Sequence, residues 1–463
     1  MESVGFDDTI AAIATARGRS AVAAIRLSGR LALPLLERVC PEVAGRSGPP
    51  DARRQYLFRV HHPETGELLD RALVTYFAAP ASYTGEEVVE ISTHGGSIAP
   101  ERVFSALLAA GARQALPGEF TRRAVLNGKL DLLQAESVAD LVDARSTAFH
   151  RAAVHQMERG LSARLSALRA DLLRTEAMVS YGIDFPDEDE PPIPIGQIVE
   201  AARGTLRQIE LAIGTAPQGE LLRRGAAVVL AGLPNSGKSS LFNALLGIER
   251  AIVTDIPGTT RDAIEADTTV LGFPFRLVDT AGLRETQDHV ESLGIEVAQN
   301  YLAAADIVLF CTESSGTLSR QEARFVREVD AKRLLVVSTK ADLGRPSGEV
   351  VGAPAGSEER LRVSARSGVG LTALRERLVH TSFDEELSRP PDEPLVTSER
   401  QLRALGRSAA ELRRFVVEIK ENLSSEFAVT HLRGATHELE ELIGAVTTDD
   451  VLDTLFGRFC VGK

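Results

Sequence analysis

Ala226 to Ser240 reads AAVVLAGLPNSGKSS. The six small or branched apolar residues Ala226 to Ala231 form a run of the length and composition of a strand buried on both faces, and Gly232 breaks it. Gly232 to Ser239, GLPNSGKS, then matches the spacing G-x-x-x-x-G-K-[ST], and the helix-prone SLFNALLG follows. Strand, glycine loop and helix in that order predict a phosphate-binding loop, formed by Asn235, Ser236, Gly237, Lys238, Ser239 and Ser240. The glycines let main-chain N–H groups turn toward an anion, Lys238 brings a catalytic point charge to the β- and γ-phosphates, and the Ser239 hydroxyl is the expected Mg²⁺ ligand. Strands alternate with helices from here to about residue 380, which predicts an α/β domain with a Ras-like sheet.

The pieces such a site requires follow in sequence. Asp279 to Gly282, DTAG, ends the strand-like run Phe275 to Val278; Asp279 is expected to hold the metal through water, and the turn Thr280, Ala281, Gly282 to offer an N–H to the γ-phosphate. Upstream lies the stretch Thr254, Asp255, Ile256, Pro257, Gly258, Thr259 and Thr260, with the Thr260 hydroxyl as second Mg²⁺ ligand. Thr339, Lys340, Ala341 and Asp342 (TKAD) follow the apolar run Leu334 to Ser338, and Ser364, Ala365 and Arg366 (SAR) follow Leu361 to Val363. The Asp342 carboxylate can accept from N1–H and the 2-amino group of guanine, a donor pair adenine lacks, so the set specifies GTP and its hydrolysis. Two departures stand out. Thr339 occupies a position where most GTPases carry Asn, and a hydroxyl lacks the two-ended bonding of an amide, so guanine affinity is expected to be weak. Leu283 follows Gly282 where Ras-like enzymes place a water-orienting Gln, so something else must position the water. Asn235, together with carbonyls of the loop Ala251 to Thr260, offers an oxygen-rich setting of the kind that suits K⁺; Arg261 is the rival cation for charge developing between the phosphates.

With 463 residues the chain is long enough for about three domains. It is 44% hydrophobic and 25% charged, which is globular composition. A net charge of −13 argues against holding nucleic acid by bulk electrostatics, leaving a local patch as the route to an RNA. The sequence has no stretch of about 18 apolar residues and no signal-like start, so a cytoplasmic protein with no membrane contact is expected. Cys40, Cys311 and Cys460 are too few and scattered for a disulfide framework or a thiolate metal site.

Residues 1–127 mix strand-like runs (Thr9 to Thr15, Ala72 to Phe77, Val88 to Thr93) with the helical Ile98 to Ala110 and predict an α+β domain. Residues 128–222 turn helical: Met157, Leu161, Leu165, Leu168 and Leu172 recur on one face. The acid- and proline-rich Asp184 to Pro194 is expected to connect helices. The α/β domain occupies 223–383, and from 384 to 463 helical periodicity returns after the linker Ser388 to Pro394, with Leu402, Leu405, Ala409, Leu412, Val416, Ile419 and Leu423. The α/β unit thus interrupts a discontinuous helical domain whose two halves can bury their stripes against each other.

Four segments outside the nucleotide motifs carry a resemblance: ARGRSAVAAIRLSG (Ala16 to Gly29), SYTGEEVVEISTHGG (Ser82 to Gly96), LPGEFTRRAVLNGKLDLLQAE (Leu116 to Glu136) and the terminal FCVGK (Phe459 to Lys463). Over essentially its whole length the chain resembles the MnmE or TrmE family of tRNA-modification GTPases. The resemblance implies a K⁺-stimulated GTPase that, with a FAD-dependent partner of the MnmG or GidA type, installs carboxymethylaminomethyl-type groups at C5 of the wobble uridine of certain tRNAs, its carbon drawn from 5-formyl- or 5,10-methylene-tetrahydrofolate. It also implies an N-terminal domain that binds folate and dimerises, and a heterotetramer with the flavoprotein. K⁺ ligation is implied for Asn235, Thr254, Ile256 and Thr259, and a catalytic, water-orienting role for Glu291 in LRETQDHVES. Folate binding maps onto Arg26, Glu90, Lys129 and Lys463. A carboxylate such as Glu90 suits the donor pair of a pterin, and cations suit the anionic tail.

Lysine usage supports this assignment: only six of the 52 basic residues are Lys, and Lys129, Lys238, Lys340 and Lys463 all fall in these motifs. Cys460, beside Lys463 and after the helix-like DDVLDTLFG, is a candidate thiolate near the folate. The competing reading is a regulatory GTPase switch in ribosome or RNA assembly that performs no covalent chemistry on RNA.

Overall fold

In the computed structural model the described residues are 8–46, 48–184, 193–247, 265–279, 301–313, 318–329, 334–343, 361–390, 393–421, 425–446, 449–457 and 459–462. The chain divides into two compact units, Met1–Ala139 with Leu439–Lys463, and Asp140–Glu438.

The first unit is built on a six-stranded sheet of order β3-β4-β5-β2-β1-β6. Its strands are β1 (Ile10–Ile13), β2 (Val22–Ser28), β3 (Gln55–His61), β4 (Leu68–Phe77), β5 (Val88–His94) and β6 (Arg113–Gln114). All neighbours are antiparallel except β1 and β6. Alternation along β2 and β4 buries Ile25, Leu27, Ala72 and Val74, which pack with Leu35, Leu36, Val39, Val103 and Leu107 of helices α1 (Ala32–Val39) and α3 (Ala99–Ala110). The short α2 (Pro41–Ala44) follows α1. Helix α4 (Glu119–Leu126) carries the RRAVL stretch, and the terminal helix Asp449–Phe456 is tied to it by Arg122 Nη1 donating to Asp453 Oδ1 at 2.7 Å. The strands and helix expected between Thr9 and Ala110 are all present, which makes this unit α+β.

The second unit holds the other sheet, order β12-β11-β10-β7-β9-β8. Its strands are β7 (Ala226–Ala231), β8 (Glu265–Val270), β9 (Phe273–Asp279), β10 (Ile307–Glu313), β11 (Leu334–Thr339) and β12 (Leu361–Arg362). β7, β9, β10, β11 and β12 are parallel, and only the edge strand β8 runs antiparallel, to β9. All six residues of β7 are buried, because apolar layers cover both faces.

Helices α6 (Thr147–Met157), α7 (Gly160–Asp184), α8 (Ile195–Gly214) and α9 (Ala216–Arg224) precede the sheet, and α10 (Lys238–Leu246) follows β7. The helices Leu371–Ser388, Glu399–Lys420 and Ser425–Ile443 come after it, and α5 (Leu132–Asp143) and Ser425–Ile443 each run across the limits of the two units. Leu405, Ala409, Leu412, Val416 and Ile419 of the expected second stripe are buried, and the helix opens with a capping box between Ser398 and Gln401. Leu161, Leu165, Leu168 and Leu172 are buried along α7, but Met157 belongs to α6. The stripe breaks because Arg159 takes φ +73° and the His155 ring crowds Gly160, where a Cβ would come within 2.4 Å of it. Of the connector Asp184 to Pro194, residues 185–192 lie outside the described residues, as does Leu423.

Candidate functional site

The phosphate loop joins the C-terminal end of the central strand β7 to α10, at the edge of the sheet where α/β folds place their ligands. Gly232 (φ +143°) cannot be replaced without moving the loop: a Cβ there would lie 2.2 Å from the Cys311 carbonyl oxygen of β10. Asn235 (φ +62°) and Gly237 (φ +87°) complete the turn in left-handed geometry, which rotates successive N–H groups inward. The Lys238 ammonium donates to the carbonyls of Gly232 (3.0 Å) and Leu233 (2.9 Å), so its charge is held over the loop. Ser239 Oγ donates to Asp279 Oδ2 at 2.8 Å. The two sequence-predicted metal-site residues, 40 positions apart, are thus in contact, an oxygen pair of the kind a hard divalent cation takes.

At the other end of the loop is a pocket of about 230 Å³, lined by Gly237, Ser240, Thr339, Lys340, Asp342 and Ser364 to Arg366 among others. TKAD closes β11 and SAR follows β12, so neighbouring parallel strands deliver both motifs to one place. Ser364 Oγ donates to Asp342 Oδ1 at 2.7 Å, and this bond, with smaller help from a main-chain bond and Arg366, holds the Asp342 carboxyl below its usual range. The acceptor needed for guanine is therefore ionised and aimed by its neighbour. Lys340 (φ +58°) is paired with Glu313 at the end of β10.

Thr339 does something the sequence did not disclose. Its buried hydroxyl donates to the Ser236 carbonyl at 2.6 Å, with Thr312 O a further 3.2 Å contact, and Gly237 lies directly on it. A hydroxyl has one proton, so Thr339 ties the phosphate loop to β11 and has none left for a base. Cys311 lies beneath the loop, and burial pushes its thiol up to about 12, which makes it inert. Thr254 to Thr260, Thr280 to Gly282, Arg261, Glu291 and Lys463 lie outside the described residues.

In the first unit Arg26 on β2 and Glu90 on β5 are directly opposite in the antiparallel register. Arg26 Nε and Nη2 both donate to Glu90 Oε1, at 3.0 and 2.8 Å. The guanidinium also lies 5.3 Å from the Tyr83 ring and 5.6 Å from the Phe120 ring. Lys129 Nζ donates to Pro80 O at 3.0 Å and Asn127 Nδ2 to Thr84 O at 2.7 Å, fastening the loop that carries Tyr83 to the end of α4. Cys460 is exposed, and its main-chain oxygen accepts from Gly118 N–H at 3.3 Å at the start of α4, with Pro117 bridged to Val461. Arg26, Glu90 and Phe120 form one cluster; Lys129 joins it through the Tyr83 loop and Cys460 through α4.

Beneath this cluster is a charged network that sequence reasoning missed. Arg123 is fully buried and donates to Asp8, Glu86 and Glu119, while Arg113 bonds the same Glu119 and Asp8. Glu86 in turn accepts from Ser28 Oγ at 2.7 Å, next to β2 and the Tyr83 loop. Burial alone would raise the Glu119 carboxyl, but the bonds from Arg113, the Leu116 N–H and Arg123 hold it below its usual value. The i, i+4 spacing of Glu119 and Arg123 was the available sequence signal; Tyr83 and Phe120 could have been singled out as aromatics inside charged segments of a chain only 5% aromatic.

Comparison with known proteins identifies the family. Residues 9–129 match the model of the GTP-binding protein TrmE N-terminus, and residues 132–460 that of the MnmE helical domain. The tRNA modification GTPase MnmE of Aquifex aeolicus is 40% identical over 462 residues, covering 98% of this chain and all of that one. Those of Geobacter sulfurreducens and Alkaliphilus metalliredigens are 39% and 37% identical over 99% of this chain. Among solved structures, the G domain of the T. maritima FeoB iron transporter is 27% identical over 34% of this chain and 98% of its own, with a TM-score of 0.24 that adds nothing to the fold argument. No helix among the described residues is long and apolar enough to cross a membrane. With both family models in register along the chain, full-length relatives near 40% identity and a complete phosphate loop, the chain is a GTP hydrolase that belongs to the MnmE family of tRNA modification GTPases.

Proposed function

We propose that this chain uses K⁺-stimulated GTP hydrolysis to drive modification of C5 of the wobble uridine in certain tRNAs, together with a FAD-dependent flavoprotein partner and a tetrahydrofolate one-carbon donor. The observation that carries the folate half of this reading is the Arg26–Glu90 pair over Tyr83 and Phe120. A flat heterocycle with an N–H donor pair can take Glu90 as its acceptor and lie against the aromatic and guanidinium faces, while Lys129 and Lys463 meet an anionic tail. Arg26 then pairs with Glu90 until the ligand supplies its own donors.

In the nucleotide half, Ser239 and Thr260 would hold Mg²⁺, and Asn235, Thr254, Ile256 and Thr259 would hold K⁺. Both ions supply positive charge to the phosphates when bound. Lys238 orients the β- and γ-phosphates, Asp342 selects guanine, and Glu291 positions the attacking water. Asn235 supports the K⁺ reading as an exposed amide within the phosphate loop, on a left-handed backbone (φ +62°). We place the protein in the cytoplasm as a homodimer, assembling with the flavoprotein as a heterotetramer. The domain limits that fit this reading are 1–127, 128–222, 223–383 and 384–463.

Titration of the purified chain with 5-formyltetrahydrofolate tests the folate site. Saturable binding lost in Glu90→Ala is the expected result. No binding to the wild-type chain would move the reading to a regulatory GTPase without RNA chemistry.

A further inference from the structure

Strand β8 begins at Glu265, five positions after Thr260, and β9 ends at Asp279, three positions before Gly282 and twelve before Glu291. A shift of the β8–β9 hairpin therefore reaches the phosphate loop through the Asp279–Ser239 bond.

The tip of this hairpin is fastened to α6, outside the α/β domain, in four ways. Ala148, whose N–H is one of the unpaired donors of the first helical turn, donates to Gly272 O at 2.9 Å, so the hairpin caps the helix. Ser146 caps the next donor, Phe149 N–H. Thr269 Oγ1 donates to Arg145 O at 3.1 Å, and Arg145 is ion-paired with Asp267. Phe149 is buried in one cluster with Val270 and Phe275 of the hairpin.

Two features distinguish this tip. Val270 pairs with Phe273, which leaves a two-residue loop of Leu271 (φ +51°) and Gly272 (φ +84°). That geometry favours Asn-Gly, and Leu in it is strained by roughly 1–2 kcal/mol. Gly272 suits its place through its left-handed φ of +84°, and a Cβ there would make only ordinary contact with Thr147 at 3.5 Å. Behind the tip is a cavity of about 220 Å³, bounded by Phe273, by Ala148, Ala152 and Gln156 of α6, and by Glu386 and Arg389. Gln156 is 4% exposed, yet its Nε2 has no hydrogen-bond partner, and the same holds for Arg389 Nη1. The tip is thus backed by open volume whose wall carries two donors without protein partners.

We propose that Arg145, Thr269 and Asp267 are positioning residues for GTP hydrolysis: α6 sets the register of the β8–β9 hairpin and so the placement of Asp279 against Ser239 at the phosphate loop.

The test uses full-length Arg145→Glu, Asp267→Arg, the double exchange and Thr269→Val, with steady-state GTP turnover, binding of a fluorescent GDP analogue and thermal midpoints measured for each. Single reversals are expected to lower kcat about fivefold or more, the scale of one coupling interaction, with KM and GDP affinity within about twofold. The exchanged pair should recover kcat to within about twofold of wild type, and uncharged Thr269→Val should lower it in the same sense at an unchanged midpoint. Wild-type kcat in the single reversals, no recovery in the exchanged pair, or a loss explained by GDP affinity alone would each overturn the assignment.

Discussion

The hydroxyl of Thr339 donates to the main-chain carbonyl of Ser236 at 2.6 Å, joining the last residue of β11 to the phosphate loop. The residue that the sequence marks as a weakened base reader is instead a brace for the loop. Replacing it by isosteric Val leaves a buried carbonyl unpaired, at about 1–3 kcal/mol. Nucleotide affinity should fall about tenfold, and GDP and IDP should weaken in parallel because the hydroxyl does not read the base. Titration with both diphosphates checks this; a change in their ratio would show that Thr339 reads the base.

In the proposed reading, base selection belongs to Asp342. Asn in its place offers a donor where guanine also donates, and GTP affinity should fall about a hundredfold, with xanthosine nucleotides gaining relative to guanosine ones. Because the Ser364 hydroxyl holds this carboxyl below its usual range, guanine binding should stay flat as pH is lowered from 7 to 5. Ser364→Ala should move the acidic limb of the affinity–pH profile upward.

Gly232→Ala tests the loop's close approach to β10. With Cys311 O only 2.2 Å from the new Cβ and φ at +143°, the loop cannot close, and nucleotide binding should be abolished. Calorimetry with GDP, alongside a thermal melt to show that the fold survives, makes the measurement.

Arg123→Met removes the centre of the buried network and leaves Glu86 and Glu119 without their shared cation. The expected loss is about 3–5 kcal/mol, read as a lower thermal midpoint. Burial raises and the arginines lower the Asp8 and Glu119 carboxyls, with a net fall below their ordinary values of 3.8 and 4.5. Folded-state values below the unfolded ones give stability that is complete above about pH 4.5 and is lost as pH falls through the depressed values. The wild-type melt should therefore steepen its acid dependence below that pH, and Arg123→Met should flatten it.

Much of the fold was legible because single runs announced it: AAVVLA is buried on both faces as β7, and the stripe from Leu405 to Ile419 is buried along one helix. The nucleotide site was legible for a related reason, since loop chemistry needs fixed residues at fixed spacing. Joints were not. Met157 and Leu161 keep helical spacing across a break, because periodicity cannot register the left-handed Arg159. Leu371–Ser388 likewise bends at a kink where Phe383 takes non-helical φ/ψ. Contacts between distant segments carry no local pattern, so the Thr339 brace, the Arg123 network and the cap of α6 by Gly272 emerged only from the structure.

The central claim is that the phosphate loop and the Arg26–Glu90 cluster serve one reaction on tRNA. Nucleoside mass spectrometry of tRNA from a strain lacking this gene, complemented with wild type, Lys238→Ala or Glu90→Ala, tests it most directly. The account predicts that only the wild-type chain restores the C5-substituted wobble uridine. Full restoration by Lys238→Ala would contradict it.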